Sequence, residues 1–368
     1  MASKEDKSLI EVLTQHQAYL YRVSSQSVNE LLKIFNDESI LMLAKLRDLL
    51  DELNDSEKMA LASGQYTTSN LKEVRDLIAQ WFTAINTALP EAFAVSATAL
   101  AVYEANYMAK LYGGKIKKPN GEKVYAAAKK IPLVGGALVD DLLSRIAENA
   151  RQKVEYAIRD GINSGKTNQE IVQRIRGTKR LNYEDGLLSS SKTDIDRTVR
   201  TVRSHVANQA YLSSFNQIGF EYVKLVATLD GRTSKLCASL DGSVWEINDP
   251  AKRVPPLHPH CRSILVPVEK DGRLAGERPF VMDERKVKDI PKDERSQLIG
   301  QLDANTTFKE FFKKTDDFFQ KEWLGPKRYK LYKDGKFDFD KFFDPEGRFY
   351  SLDDLRKLDE KAFKKLGL

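Results

Sequence analysis

Thr228-Leu229-Asp230-Gly231-Arg232-Thr233-Ser234-Lys235-Leu236-Cys237 opens the segment 228–268, and Pro255-Pro256-Leu257-His258-Pro259-His260-Cys261-Arg262-Ser263 brings it near its end. This one stretch holds both cysteines of a 368-residue chain and half of its four histidines. Thiols and imidazoles gathered so tightly are used together. Between the two ends lies Leu240-Asp241-Gly242-Ser243-Val244-Trp245, a turn signal followed by strand-forming residues. Asp230-Gly231 and Asp241-Gly242 both favour tight turns, because glycine accepts positive φ without a Cβ clash. The segment reads as a small strand-and-turn knot in an otherwise helical protein.

Outward from the knot, helical periodicity dominates. Leu9, Val12, Leu13 and His16, continuing through Leu20 and Val23, share one face. Ile40, Leu43, Leu46, Leu49 and Leu50 form a second series, and Leu71, Val74, Ile78 and Phe82 a third, with Ser69-Asn70 as cap and Pro90 as kink or end. Residues 111–122 concentrate glycine, proline and Asn120-Gly121 and read as a hinge. A helix is expected from about 138 to 162, ending near Gly161, with Thr167 and Glu170 as the capping box of the next. A polar linker at 182–193 leads into a helix over 194–216. Residues 269–297 are charged and turn-rich, an extended connector. From Phe308 the tail is densely aromatic, and Ser351 caps a last helix through Asp354, Leu355 and Leu358.

The bulk properties bound the function. Apolar content of 41% supports a core, while 30% charged residues and a mean hydropathy of −0.47 describe a well-solvated chain. No segment reaches the roughly 20 apolar residues of a membrane span, and the first residues lack the hydrophobic core of a secretory signal. Synthesis in a cytosol and no membrane partner are the expectations. A net charge of +6 suits a surface facing nucleic acid without requiring one.

The knot residues also carry a family resemblance. Ala227-Thr228-Leu229-Asp230-Gly231-Arg232-Thr233-Ser234, then Cys237, Leu240-Asp241-Gly242, Pro255-Pro256-Leu257-His258-Pro259 and Cys261-Arg262-Ser263 resemble the signature of phage head morphogenesis proteins. These are minor head proteins of tailed bacteriophages that look like protein F of phage Mu. Arg200-Thr201, His205 and Val206-Ala207-Asn208-Gln209-Ala210 are similar to the helix preceding the knot in that family, and residues 161–171 to its glycine–turn–helix lead-in. The resemblance spans residues 145–268 and places Asp230, Arg232, Thr233, Asp241, Gly242, Pro256 and Arg262 in the family motif. Some members carry a second cysteine pair where this chain has Ser234 and Ser263. The resemblance implies a virion component in the capsid interior at the portal vertex, made in the host cytoplasm. It implies binding to the portal protein and to capsid or scaffolding proteins, with roles in capsid assembly, genome packaging or ejection.

The expected fold is therefore mainly α. It comprises a helical N-terminal domain (1–115), a linker and helix (116–144) and an α+β Mu F-like domain with its Cys/His knot (145–268). A connector (269–304) and an aromatic-rich helical tail (305–368) follow.

For the chemistry, Cys237, His258 and Cys261 can converge on one structural zinc, with His260 an uncertain fourth ligand. A thiol pair, bonded or merely packed, and simple hydrogen-bonded packing stay open beside it. Deaminase, Walker and dinucleotide motifs are absent, so a non-enzymatic role is expected. Its rival is a metal-dependent DNA-processing enzyme with Asp230, Asp241, His258 and His260 around the ion. Arg197, Arg200 and Arg203 recur every three residues, and Arg174, Arg176, Lys179 and Arg180 form a second basic cluster. Both can neutralise phosphates of double-stranded DNA without reading bases. The competing reading is a solvated helix face paired with Asp194, Asp196 or Glu184. Interleaved aromatics and lysines in the tail can stack on bases, but packing or docking is the favoured use.

Overall fold

The computed structural model describes residues 9–111, 120–133 and 135–368, and the expected hinge at 111–122 lies mostly outside them. Among the described residues the chain is mainly α. The helices up to the knot are α1 (Leu9–Glu52), α2 (Asp55–Ala62), α3 (Ser69–Leu111), α4 (Gly121–Lys130), α5 (Val139–Asn163), α6 (Asn168–Arg176) and α7 (Ser189–Ile218). Strand β1 (Tyr222–Val226), β2 (Leu229–Asp230), α8 (Lys235–Leu240), β3 (Val244–Glu246) and β4 (Ile264–Val268) build the knot. Beyond it come β5 (Glu277–Val281), α9 (Arg295–Leu298), β6 (Ile299–Asp303), α10 (Phe308–Lys314), α11 (Asp317–Leu324), α12 (Pro326–Lys333), α13 (Leu352–Leu358) and α14 (Glu360–Leu366).

The first two apolar series belong to one continuous helix, α1. Leu13, Leu20, Leu31, Phe35, Met42, Leu43, Leu46 and Leu50 are buried along it, whereas Ile40 is exposed. Helix α3 runs unbroken through Pro90, because Leu89 and Phe93 on either side are both fully buried and hold the helix in place. Its first turn is capped by Thr68, whose Oγ1 accepts from Leu71 N at 3.3 Å, in place of the expected Ser69-Asn70. The capping box at Thr167/Glu170 forms as expected, and Ser351 caps α13, where Asp354 completes a second box; α14 follows, so α13 is not the last helix. Helix α5 ends at Asn163, two residues past Gly161, close to the expected end; a Cβ at Gly161 would sit 2.5 Å from Ile171 Cγ1, so the glycine lets α6 pack close.

Helix α3 contacts α1, α4, α5 and α7 and is the central post of the bundle. It also holds an 18-residue window of mean hydropathy 1.3, long and apolar enough to cross a membrane, which corrects the expectation that no segment is. A third of that window is buried, and Val95, Val102 and Tyr103 are exposed. Its carboxylate Glu104 is fully buried against α1 and α7, as suits a core post.

Two sheets follow. In the first, β1 pairs antiparallel with β3 (Tyr222↔Glu246) and with β4 (Tyr222↔Val268 to Val226↔Ile264). In the second, β2 pairs parallel with β5 (Leu229↔Phe280), and β5 antiparallel with β6. The expected extended connector thus supplies two strands, one of them zipped onto the knot. One apolar core cluster runs from Ile10 through the bundle to Val266 and Ala304. The aromatic tail forms a second core. Phe308, Phe311, Phe312, Phe319, Trp323, Phe339 and Phe342 are buried there with Leu229 and Ala238 of the knot. Ring pairs such as Phe312–Trp323 at 5.2 Å and Phe308–Trp323 at 5.1 Å give that core its shape.

Candidate functional site

The knot sits where bundle, sheets and tail meet. Its two turn aspartates are both buried and both captured by arginine. Asp230 receives Arg262 (Nη2 to Oδ1, 2.8 Å), Arg232 (Nη2 to Oδ2, 3.1 Å), the Arg232 backbone N–H (3.1 Å) and the Thr233 hydroxyl (3.1 Å). Burial alone would raise the Asp230 carboxyl, but hydrogen bonds and charge from Arg262, with Arg232 and Thr233 added, hold it below its ordinary 3.8. Asp241 accepts from Ala227 N at 2.7 Å, Phe308 N at 2.6 Å and Arg278 at 3.1 and 3.2 Å. Arg278 also donates to the carbonyls of Ala227 and of Thr306, the latter at 2.8 Å. One buried guanidinium thereby ties β5 to the strand end, the second turn and the start of the tail. Gly242, at φ +88°, has no room for a side chain: a Cβ would lie 2.9 Å from Thr307 Cγ2.

The sulphurs occupy the other side of the knot. Ser234 caps α8 by accepting from Cys237 N at 3.2 Å, which fixes the cysteine in the first turn. A turn bond from Cys261 N to His258 O at 3.1 Å brings His258 and Cys261 together. The Cys237 and Cys261 sulphurs are 3.6 Å apart, and His258 Nε2 is 3.2 Å from Cys237 Sγ. Both cysteines are buried and free. His258 Nδ1 lies 2.8 Å from the Pro259 carbonyl, which accepts its N–H and leaves Nε2 turned to the sulphurs. The hydrogen bond to Cys261 and burial push the Cys237 thiol up, while that bond and His258 draw the Cys261 thiol well down. For His258, burial opposes the charged ring, but Cys261 and the Pro259 carbonyl outweigh it and raise its pKa. Ser234 and Ser263 hydroxyls both bear on the Cys237 sulphur.

Among the described residues, these three side chains are the group of His, Cys, Asp or Glu whose ligand atoms all lie within 4.8 Å of one another, the arrangement that can hold a metal ion. His260 is not in it. At φ +59° its ring turns toward α1, 3.3 Å from the Tyr21 hydroxyl. Asp230 and Asp241 are not in it either, their oxygens being occupied by arginines. The fold therefore does not bring Asp230, Asp241, His258 and His260 around one point. Pro256 follows a cis peptide bond in the turn that leads to His258.

The basic residues divide. Arg203 is 7% exposed and donates to Ser27 on α1 at 3.0 Å, and burial lowers its pKa. The Arg200 side chain is 13% exposed, paired with Asp196, bonded to the Tyr21 carbonyl at 2.7 Å and seated 4.7 Å over the Tyr21 ring. The three-residue period thus marks a seam between α7 and α1, a correction to the expected open stripe. Only Arg197 is at the surface, paired with Asp194. The second cluster differs: Arg176, Lys179 and Arg180 are exposed, and Arg174 beside them pairs with Asp160. His205 is buried and bonds the Ala128 carbonyl at 3.0 Å, pinning α7 to α4.

Two buried charged residues escape a reading by motif. Arg278 has no local signal, since its partner Asp241 is distant in the chain. Glu104 lies buried in the bundle, taking His16 Nε2 at 2.9 Å and the Tyr211 hydroxyl at 2.6 Å. A lone carboxylate in the apolar run Ala101-Val102-Tyr103-Glu104-Ala105 was its available signal.

With this geometry in place, comparison with known families is decisive for one region. Residues 152–266 match the family described as Phage Mu protein F like protein. That segment is a phage Mu F-like domain. It runs from the middle of α5 into β4, inside the resemblance at 145–268, and holds the whole sulphur cluster and both captured aspartates. No curated protein and no solved structure matches the chain. The Mu F-like domain supports a bacteriophage head morphogenesis protein, associated with the virion and working with other virion proteins.

Proposed function

We propose that this chain is a minor head protein docking at the portal vertex inside a tailed-phage capsid. There it assists assembly, genome packaging or ejection. The Mu F-like match over residues 152–266 carries the reading. In this role the knot supplies rigidity, with no substrate to turn over. The commitment of Asp230 and Asp241 to arginines favours that non-enzymatic reading over a metal-dependent nuclease. The exposed Arg176, Lys179 and Arg180 offer DNA a non-specific contact.

Two measurements test this. The chain should copurify with its portal ring, and loss of association even at low salt would overturn the docking. DNA affinity should be independent of sequence and fall steeply with salt. Reversing Arg176, Lys179 and Arg180 to Glu should flatten the log–log salt slope by roughly 2–3. An unchanged slope would remove DNA from the role, and plasmid nicking lost on His258→Ala would revive the nuclease.

A further inference from the structure

We propose that Cys237, His258 and Cys261 bind a single zinc ion that clamps α8 to the proline-rich turn before β4. The site lies within the knot and is independent of any portal or DNA contact.

The spacing is that of ligands around an ion. Tetrahedral zinc, with Zn–S near 2.3 Å and Zn–N near 2.0–2.1 Å, sets two sulphurs about 3.8 Å apart and each sulphur about 3.5 Å from the imidazole nitrogen. Here the sulphurs are 3.6 Å apart and Cys237 Sγ is 3.2 Å from His258 Nε2. A disulfide would need roughly 2.05 Å. The imidazole is already oriented: the Pro259 carbonyl holds Nδ1–H, so the Nε2 lone pair faces the sulphurs, the outer-shell arrangement of metal-ligating histidines. Two thiolates and an imidazole are a soft set that suits zinc over magnesium or calcium.

Charge points the same way. The guanidinium of Arg262, whose charge reaches Cys261, already pairs with Asp230 and cannot by itself balance two buried thiolates. A divalent ion neutralises them: Zn²⁺ displaces one proton from each thiol, and both protons leave to solvent. Three protein ligands leave one tetrahedral position for water. Ser234 and Ser263 both lie against Cys237, so a cysteine at Ser263 adds a third thiolate as the fourth ligand without touching the Ser234 cap.

The test is elemental analysis of the full reduced chain, freed of any affinity tag and incubated with zinc chloride and then desalted. One equivalent of zinc is expected, with loss of it in Cys261→Ala and His258→Ala. Cobalt in its place should give a thiolate charge-transfer band. Circular dichroism reports whether the variants fold. Ser263→Cys keeps all three ligands and should retain zinc longer against a chelator, so the proposal remains testable if the alanine variants collapse. Zinc no higher than in the Cys237→Ala/Cys261→Ala chain would overturn it. So would a mass lower by two hydrogens in the unreduced chain with no metal bound.

Discussion

Asp230 and Asp241 are twins in sequence, each a turn aspartate followed by glycine, yet the fold spends them differently. Asp230 is closed by arginines of the knot itself, Arg232 and Arg262, whose side chains are 37% and 23% exposed. Asp241 is closed by Arg278 from β5, with both side chains in the interior. The first corner locks the knot onto itself, and the second joins it to β5 and to the tail, whose Phe308 N–H also binds Asp241. A carboxylate's structural weight therefore depends on where its partner comes from, and turn chemistry alone does not reveal that.

The sharpest way to break the contrast is Arg278→Ala. It leaves Asp241 buried without its counter-ion, which costs about 3–5 kcal/mol, and denaturant unfolding should show it together with exposure of the tail tryptophan Trp323. Asp230→Asn comes next, at about 1.5–3 kcal/mol from lost charge-assisted bonds. Its signature is in pH. The folded pKa of Asp230 lies below the unfolded 3.8, so its contribution is complete above that value and disappears as pH falls through the lower folded one. Wild-type melting temperature should fall over that acid window, and the Asn variant should have a flatter profile there. The smallest effect belongs to Ser234→Ala, which removes the α8 cap at about 1 kcal/mol. It should leave the tail's protection intact, since Ser234 acts only within the knot.

Much of this was legible in sequence. The Asp-Gly turns, the cysteine pair, the Thr167/Glu170 capping box and the Ser351 cap are local devices, so a few neighbouring residues disclose them. His258 beside Cys261 was legible for the same reason. What escaped depends on distant packing. The arginine period on α7 was visible, but whether that face meets water or α1 is decided by Tyr21, Ser25 and Ser27 far upstream. Pro90 argued for a kink or an end, and the helix does not end there, with Leu89 and Phe93 buried on either side. Strands β5 and β6 hide in a charged stretch because partners on the knot and on each other define them. The tail's aromatics announced burial, yet their attachment needs Trp323 donating to the Thr233 carbonyl at 3.1 Å and Lys235 lying 3.7 Å over its ring.

The knot's place as the joint between bundle and tail is tested most directly by amide hydrogen exchange on the Arg278→Ala chain. Protection should fall together across residues 227–243 and 306–324 while α1 and α3 keep theirs. Loss confined to the neighbours of residue 278, or spread evenly through the bundle, would contradict a joint at Asp241.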